Sequence, residues 1–198
     1  MPFADQTTPP HRKRFDEPGE ARFLTFSCFR RQPFLTRDRS RAWLIEGIDR
    51  ALLRHPIDLW AFVIMPEHVH LLVYPNTSNV DIAAFLYTMK KSVTTRALDF
   101  IRKDSPAFLE RMHDLQPNGR SSYRSWQRGG GYDENLFRPR KIWEKIDYIH
   151  QNPVRRGLCN HPMDWKWSSA RAFENDGDAP LTLNLKQLPV DPRDHVRL

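Results

Sequence analysis

The chain has 198 residues, a hydrophobic fraction of 39%, 16 prolines and two cysteines. This suits one modest domain with polar connections and tails, and no apolar run approaches the roughly 20 residues that span a bilayer. No N-terminal signal pattern is visible, and Cys28 and Cys159 stand in no metal-type spacing, so a reducing, cytoplasmic setting is expected. Thirty-one Lys and Arg against 24 Asp and Glu leave a net charge of +7, which favours a phosphate-rich partner or a generally basic soluble surface.

Residues 1–20 are polar, contain Pro9, Pro10 and Pro18, and carry Arg12, Lys13 and Arg14; a flexible basic arm is expected there. Arg22 to Phe29 alternates like a strand, with Phe23, Thr25, Ser27 and Phe29 on one side. Asp38 to Arg54 places Trp43, Leu44, Ile48, Ala51 and Leu52 at helical spacing. Ile57 to Met65 reads as a second strand, and Pro66-Glu67 turns it into a third that runs to Tyr74. After a loop in which Ser78 or Asn79 is the expected cap, Val80 to Arg102 forms a second amphipathic helix. Lys90, Lys91 and Arg96 lie off its apolar stripe, free for phosphates or for solvent.

Residues 103–124 show no clear pattern. Ser125 to Arg128 is the expected last strand, Gly129-Gly130-Gly131 a turn, Arg138 to Gln151 a third helix, and 173–198 a tail. The order strand, helix, strand, strand, helix, strand predicts an α+β, ferredoxin-like sandwich. Its antiparallel sheet would carry helices on one face and leave the other uncovered.

In the third strand, Val69, Leu71 and Val73 share one face and point to a core, while His68 and His70 share the other. Two imidazoles held side by side can be half of a metal site or a structural pair; the missing ligands must come from elsewhere. The third helix offers candidates. Ile142, Ile146 and Ile149 make its buried stripe, widened by Trp143, while Tyr148 and Asn152, four apart, stack on another face near Lys141 and Lys145. Pro153 disfavours helical geometry at Asn152, so the helix is expected to stop there.

Val63 to Val73, containing His68-Val69-His70, resembles the H-U-H motif (U hydrophobic) of single-tyrosine HUH transposases. Tyr148-Ile149-His150-Gln151-Asn152-Pro153 resembles the tyrosine motif of the branch associated with repetitive extragenic palindromes (REP). Trp126-Gln127, Gly131-Tyr132-Asp133 and Trp165 to Ala170 are similar to that branch too, so the resemblance runs from Arg22 to Ala170 within a catalytic domain of residues 21–172. It implies a helix bearing the nucleophile near the uncovered face of the sheet. His68, His70 and Asn152 would bind Mg²⁺ or Mn²⁺, and Tyr148 would attack a phosphate of single-stranded or hairpin DNA. The products would be a 5′-phosphotyrosine and a free 3′-OH, made by a monomer or by a homodimer that exchanges its tyrosine helices.

The nucleophile needs help, because a free phenol is ionised at neutral pH only about once in a thousand, a cost of about 4 kcal/mol. Lys145 is one candidate helper. Arg12, Lys13, Arg14, Lys90, Lys91, Arg140, Lys141, Lys145, Arg155 and Arg156 are candidate DNA contacts, with Trp126 a stacking platform or a core residue. Glu67 stands where Asn is common in the family and is expected to face solvent, the alternative being that it joins or tunes the metal; His150 is expected to pack or to touch DNA. Two other readings compete: a DNA- or RNA-hairpin-binding protein without chemistry, and an unrelated hydrolase using His68 and His70, for which no further ligand and base stand at a clear spacing.

Overall fold

The fold is a computed structural model that describes residues 19–129, 131–174 and 177–193; the expected basic arm, with Arg12, Lys13 and Arg14, lies outside them apart from its last two residues. The main elements are β1 (Ala21–Ser27), α1 (Asp38–Arg54), β2 (Ile57–Ile64), β3 (His68–Pro75), α2 (Ile82–Asp104), β4 (His113–Leu115), β5 (Ser121–Tyr123), β6 (Tyr132–Leu136) and α3 (Pro139–Arg155). Four strands form one sheet in the order β2-β3-β1-β6, with every neighbouring pair antiparallel. This is the α+β, ferredoxin-like arrangement expected from the element order. No helix of the described residues is long and apolar enough to cross a membrane.

Strand alternation divides the core in two. Leu24, Phe26, Val69, Leu71 and Val73 face α1 and α2, meeting Leu44, Ile48 and Ala51 from the first helix and Phe85, Met89 and Val93 from the second. Gly47 lets the two helices close up, since a Cβ there would lie 3.0 Å from the Met89 carbonyl oxygen. Ala21, Phe23 and Leu72 face the other way, against Ile142, Ile146 and Ile149 of α3. The face expected to be uncovered therefore carries α3, whose apolar stripe must be buried somewhere. In β2 a bulge between Leu59 and Ala61 shifts the alternation: Leu59, Phe62 and Ile64 join the first core, Trp60, Ala61 and Val63 the second.

Four expectations are corrected. The fourth strand is β6 rather than 125–128; Trp126 makes only an isolated bridge with Cys28. Strand β6 carries few apolar residues, and its pairing with β1 is reinforced by Asp133, which takes two bonds from the buried Arg22 guanidinium at 2.9 and 2.6 Å. The α2 cap is Asp81, whose carboxylate accepts the Ala84 N–H at 2.9 Å, not Ser78 or Asn79. Helix α3 runs through Pro153 to Arg155, because a proline in the final turn forfeits a single bond. The end is made by Gly157 at φ 65°, with Gly157 N–H bonding to the Val154 carbonyl at 2.9 Å and Leu158 N–H to that of Pro153 at 2.9 Å.

The fourth correction concerns the tail, which is packed as far as it is described. Leu181 is buried in the first core, Leu185 and Leu188 lie against the second, and Asn184 N–H donates to the Leu59 carbonyl at 3.1 Å. Trp165–Ala170 covers the rest of the β2 edge. Ile64 N–H donates to the Trp167 carbonyl and Ser169 N–H to that of Phe62, which removes an open strand edge.

Candidate active site

Strand β3 begins at His68, directly after a turn closed by Met65 N–H on the His68 carbonyl at 2.9 Å. The two imidazoles project from one face of the strand, with Nε2 of His68 3.1 Å from Nε2 of His70. Each is held by its other nitrogen. His68 Nδ1 lies 3.1 Å from Glu67 Oε1, a carboxylate oxygen that can only accept, so Nδ1 is the protonated nitrogen and Nε2 keeps its lone pair. His70 Nδ1 lies 2.7 Å from the hydroxyl of Thr25 on β1. Burial lowers the pKa of both rings, that of His70 to about 3 with His68 and Lys145 adding to the effect, so both stay neutral at neutral pH.

Helix α3 supplies the rest. Asn152 is buried and its side-chain amide lies 3.1 Å from His70 Nε2. Tyr148, one turn earlier, packs its ring edge-on to His70 at 5.3 Å and to Phe23 at 5.9 Å, and remains 36% exposed. Phe23 in turn stacks on His70 at 5.3 Å. All of these groups come from a single chain. They border a cleft of about 620 Å³ together with Arg31, Tyr132, Lys145, Arg155 and Arg156.

Among the described residues no three His, Cys, Asp or Glu cluster as a metal site. The donor set is two neutral imidazoles and a carboxamide. The lone pair of His68 Nε2 is aimed at His70 Nε2 3.1 Å away, a place that a proton on His70 or a shared cation can fill. Anchoring of both Nδ1 atoms is what fixes ligating histidines, so the residues fit a divalent cation.

The cations of the cleft differ in how far they are neutralised. Lys145 pairs with Glu134 of β6 at 2.8 Å and sits 4.5 Å from the Phe23 ring centre. Arg156 pairs with Glu67 at 2.6 Å; that carboxylate is only 14% exposed, which corrects its expected place in solvent. Arg155 lies over the Tyr148 ring at 5.2 Å. The other expected DNA contacts are not brought here. Lys90 and Lys91 lie on α2, across the sheet, with the Lys90 ammonium 4.7 Å from the Phe26 ring centre. Arg140 and Lys141 stand in the first turn of α3, both paired with Glu144. Trp126 is buried against Phe26, its indole N–H on the Lys90 carbonyl at 3.2 Å, so it is a core residue and not a stacking platform. It borders a second hollow of about 680 Å³, on the α1–α2 face, that contains none of the other candidates.

His150 packs as expected: its Nε2 lies 2.9 Å from Ser169 Oγ and its ring 5.0 Å from Phe173, so the Trp165–Ala170 segment braces the tyrosine helix. Sequence reasoning missed Thr25, Glu134 and Arg31. Polar residues alternating with apolar ones were the available signal for the first two. Arg31 has none, because it is placed by an unusual turn. Arg30 and Arg31 both adopt left-handed backbone, φ 51° and 52°, at about 1–2 kcal/mol each for residues with a Cβ. Long-range bonds hold the turn: Cys28 N–H to the Glu67 carbonyl at 2.8 Å, Phe29 N–H to that of Ser125 at 3.0 Å, and Arg30 N–H to the Gln127 side chain at 3.0 Å. On the opposite side of β1, Gly131 at φ 77° passes so close that a Cβ would lie 1.9 Å from the Thr25 carbonyl oxygen; only glycine fits.

Known proteins share this fold and part of this sequence. A Haemophilus influenzae protein, provisionally named a REP-associated tyrosine transposase, is 28% identical over 152 residues, covering 73% of this chain and 78% of its own. The resemblance to REP-associated tyrosine transposases holds. A solved structure of such a transposase bound to a REP hairpin matches the fold with a TM-score of 0.63 at 20% identity, over 91% of this chain and 97% of that one. No family model matches the chain.

Proposed function

We propose that this protein is a REP-associated-type tyrosine transposase, an enzyme that cuts and rejoins single-stranded DNA beside a hairpin. The reading is carried by one observation: the tyrosine and the buried amide of α3 meet the two imidazoles of β3 in one cleft, with the Tyr148 and His70 rings 5.3 Å apart. His68, His70 and Asn152 would hold Mg²⁺ or Mn²⁺, which when bound supplies Lewis-acid polarisation of a phosphate oxygen. Nitrogen donors suit Mn²⁺ better than Mg²⁺.

Tyr148 Oη attacks the phosphorus. A P–O bond to the phenol forms, the bond to the 3′ oxygen breaks, and that oxygen leaves as a 3′-hydroxyl with the proton the phenol gives up. The strand stays attached through a 5′-phosphotyrosine, so a new 3′-hydroxyl can reverse the step without ATP. Asn152, Phe23 and Arg155 fix the tyrosine helix and ring against the imidazoles, which limits the wandering of the nucleophile. Hairpin DNA is the favoured substrate because the solved relative is described as bound to a REP hairpin.

The test is incubation with end-labelled hairpin oligonucleotides bearing single-stranded flanks, with Mn²⁺, followed by denaturing electrophoresis. A protein–DNA adduct absent in Tyr148→Phe is expected. Binding without any adduct would leave a hairpin-binding protein instead, and turnover that survives Tyr148→Phe would mean another nucleophile.

A further inference from the structure

We infer that Arg31 is a phosphate-binding residue of the cleft. Its guanidinium takes a backbone phosphate of the single strand on the His68 side, at or beside the phosphate that Tyr148 attacks. The inference rests on the transposase-like reading above and adds to it a residue from a turn that no motif marks.

Position comes first. Arg31 borders the cleft that holds Tyr148 and the imidazoles, and also the adjoining hollow formed with Pro33, Glu67, His68 and Arg156. It is exposed. Arg155 lies over Tyr148 in the same cleft.

Charge sorts the cations. Lys145 and Arg156 are each met by a carboxylate. Among the described residues, Arg31 and Arg155 have no ion pair, and no hydrogen bond of their side chains is found. A guanidinium without a carboxylate, facing a concave site, is the group best suited to accept a phosphate in two-pronged fashion.

The backbone is the third observation. Two consecutive arginines in the left-handed region stand where glycine or asparagine would be cheaper. The turn is clamped at two places, to the Glu67 carbonyl beside the imidazoles and to Gln127 after Trp126. The turn so determined sets Arg31 on the border of the cleft. Arg30, equally strained, turns its guanidinium over Phe29 at 4.8 Å and does not border the cleft, so it separates strain from charge.

The experiment measures binding in a Tyr148→Phe background, so that cleavage does not intervene. Fluorescence anisotropy follows a labelled hairpin with single-stranded flanks across a salt series. Adding Arg31→Gly is expected to weaken binding about tenfold and to lower the slope of log K against log salt by about one, with the melting temperature unchanged or raised because glycine is at ease at this φ. Arg30→Gly is expected to change neither. Replacing the flank phosphates one at a time by methylphosphonate should reveal a position that weakens the parent and has no further effect on the Arg31→Gly protein; a merely structural arginine would not abolish that sensitivity. Equal affinity and equal slope for parent and Arg31→Gly overturn the inference while leaving the transposase-like reading standing. Failure of the parent to bind the hairpin at all overturns both.

Discussion

The two faces of the sheet are built for different ends. Towards α1 and α2 the buried layer is almost wholly apolar, with Phe26, Phe62, Leu71, Phe85 and Met89 at 2% exposure or less. Towards α3 the layer is apolar over β2, the first half of β1 and the middle of β3, where Trp60, Ala61, Val63, Ala21, Phe23 and Leu72 meet the isoleucine stripe. Beyond that patch, over the start of β3 and the end of β1, the same face carries His68, His70 and Thr25, roofed by Tyr148, Asn152 and Arg155. One helix thus anchors through its isoleucines and extends its last turns over a polar cleft. The dry face keeps the sheet rigid, and rigidity holds the two imidazoles together with one of them, His70, within hydrogen-bond distance of an amide from a different element.

The sharpest test of this division is Tyr148→Phe, which should lower adduct formation at least about a thousandfold while shifting the melting temperature little, since the ring is kept and its face is partly in solvent. The reverse is expected of Phe85→Ala on the dry face: a loss of about 3–5 kcal/mol in urea denaturation, the effect of a cavity beneath α2. The third concerns pH. Burial lowers the His150 pKa from the usual 6.5 to about 4, with Asp147 opposing weakly. The folded state therefore resists a proton that the unfolded chain accepts. Stability from this group is complete above pH 6.5, declines as pH falls, and levels off below pH 4, a total of about 3 kcal/mol at most. Denaturation of His150→Gln across this range should show a flatter profile. The smallest expected effect is that of Asn152→Ala on Mn²⁺ affinity, about tenfold weaker by calorimetry, with both imidazoles still in place. An unchanged affinity would remove the amide from the ligand set.

Much of the fold was legible locally. The boundaries of α1 coincide with the expected Asp38–Arg54, and the hairpin of β2 and β3 follows from two apolar runs joined by Pro66-Glu67. Strand β6 was not legible, because Tyr132-Asp133-Glu134-Asn135-Leu136 looks like a loop until Arg22 and the free edge of β1 are set beside it. The end of α3 was misjudged because the proline rule is an average over contexts, and the bonds made by Gly157 and Leu158 stabilise the last turn past Pro153. The same holds for the tail, whose leucines acquire meaning only against the β2 edge.

By itself the sequence determined which side chains travel together: His68 with His70 by the two-residue repeat of a strand, and Tyr148 with Asn152 by the turn of a helix. Those periodicities are local and survive any arrangement of the elements. Only the tertiary structure decided that the two pairs meet, that Glu67 and Thr25 orient the imidazoles, that Trp126 and Lys90 belong to the opposite face, and that Arg31 reaches the cleft. These depend on strand order, on the crossing of α3 over the sheet and on a turn held by distant carbonyls. Such long-range pairings leave no periodic trace in the residues they join.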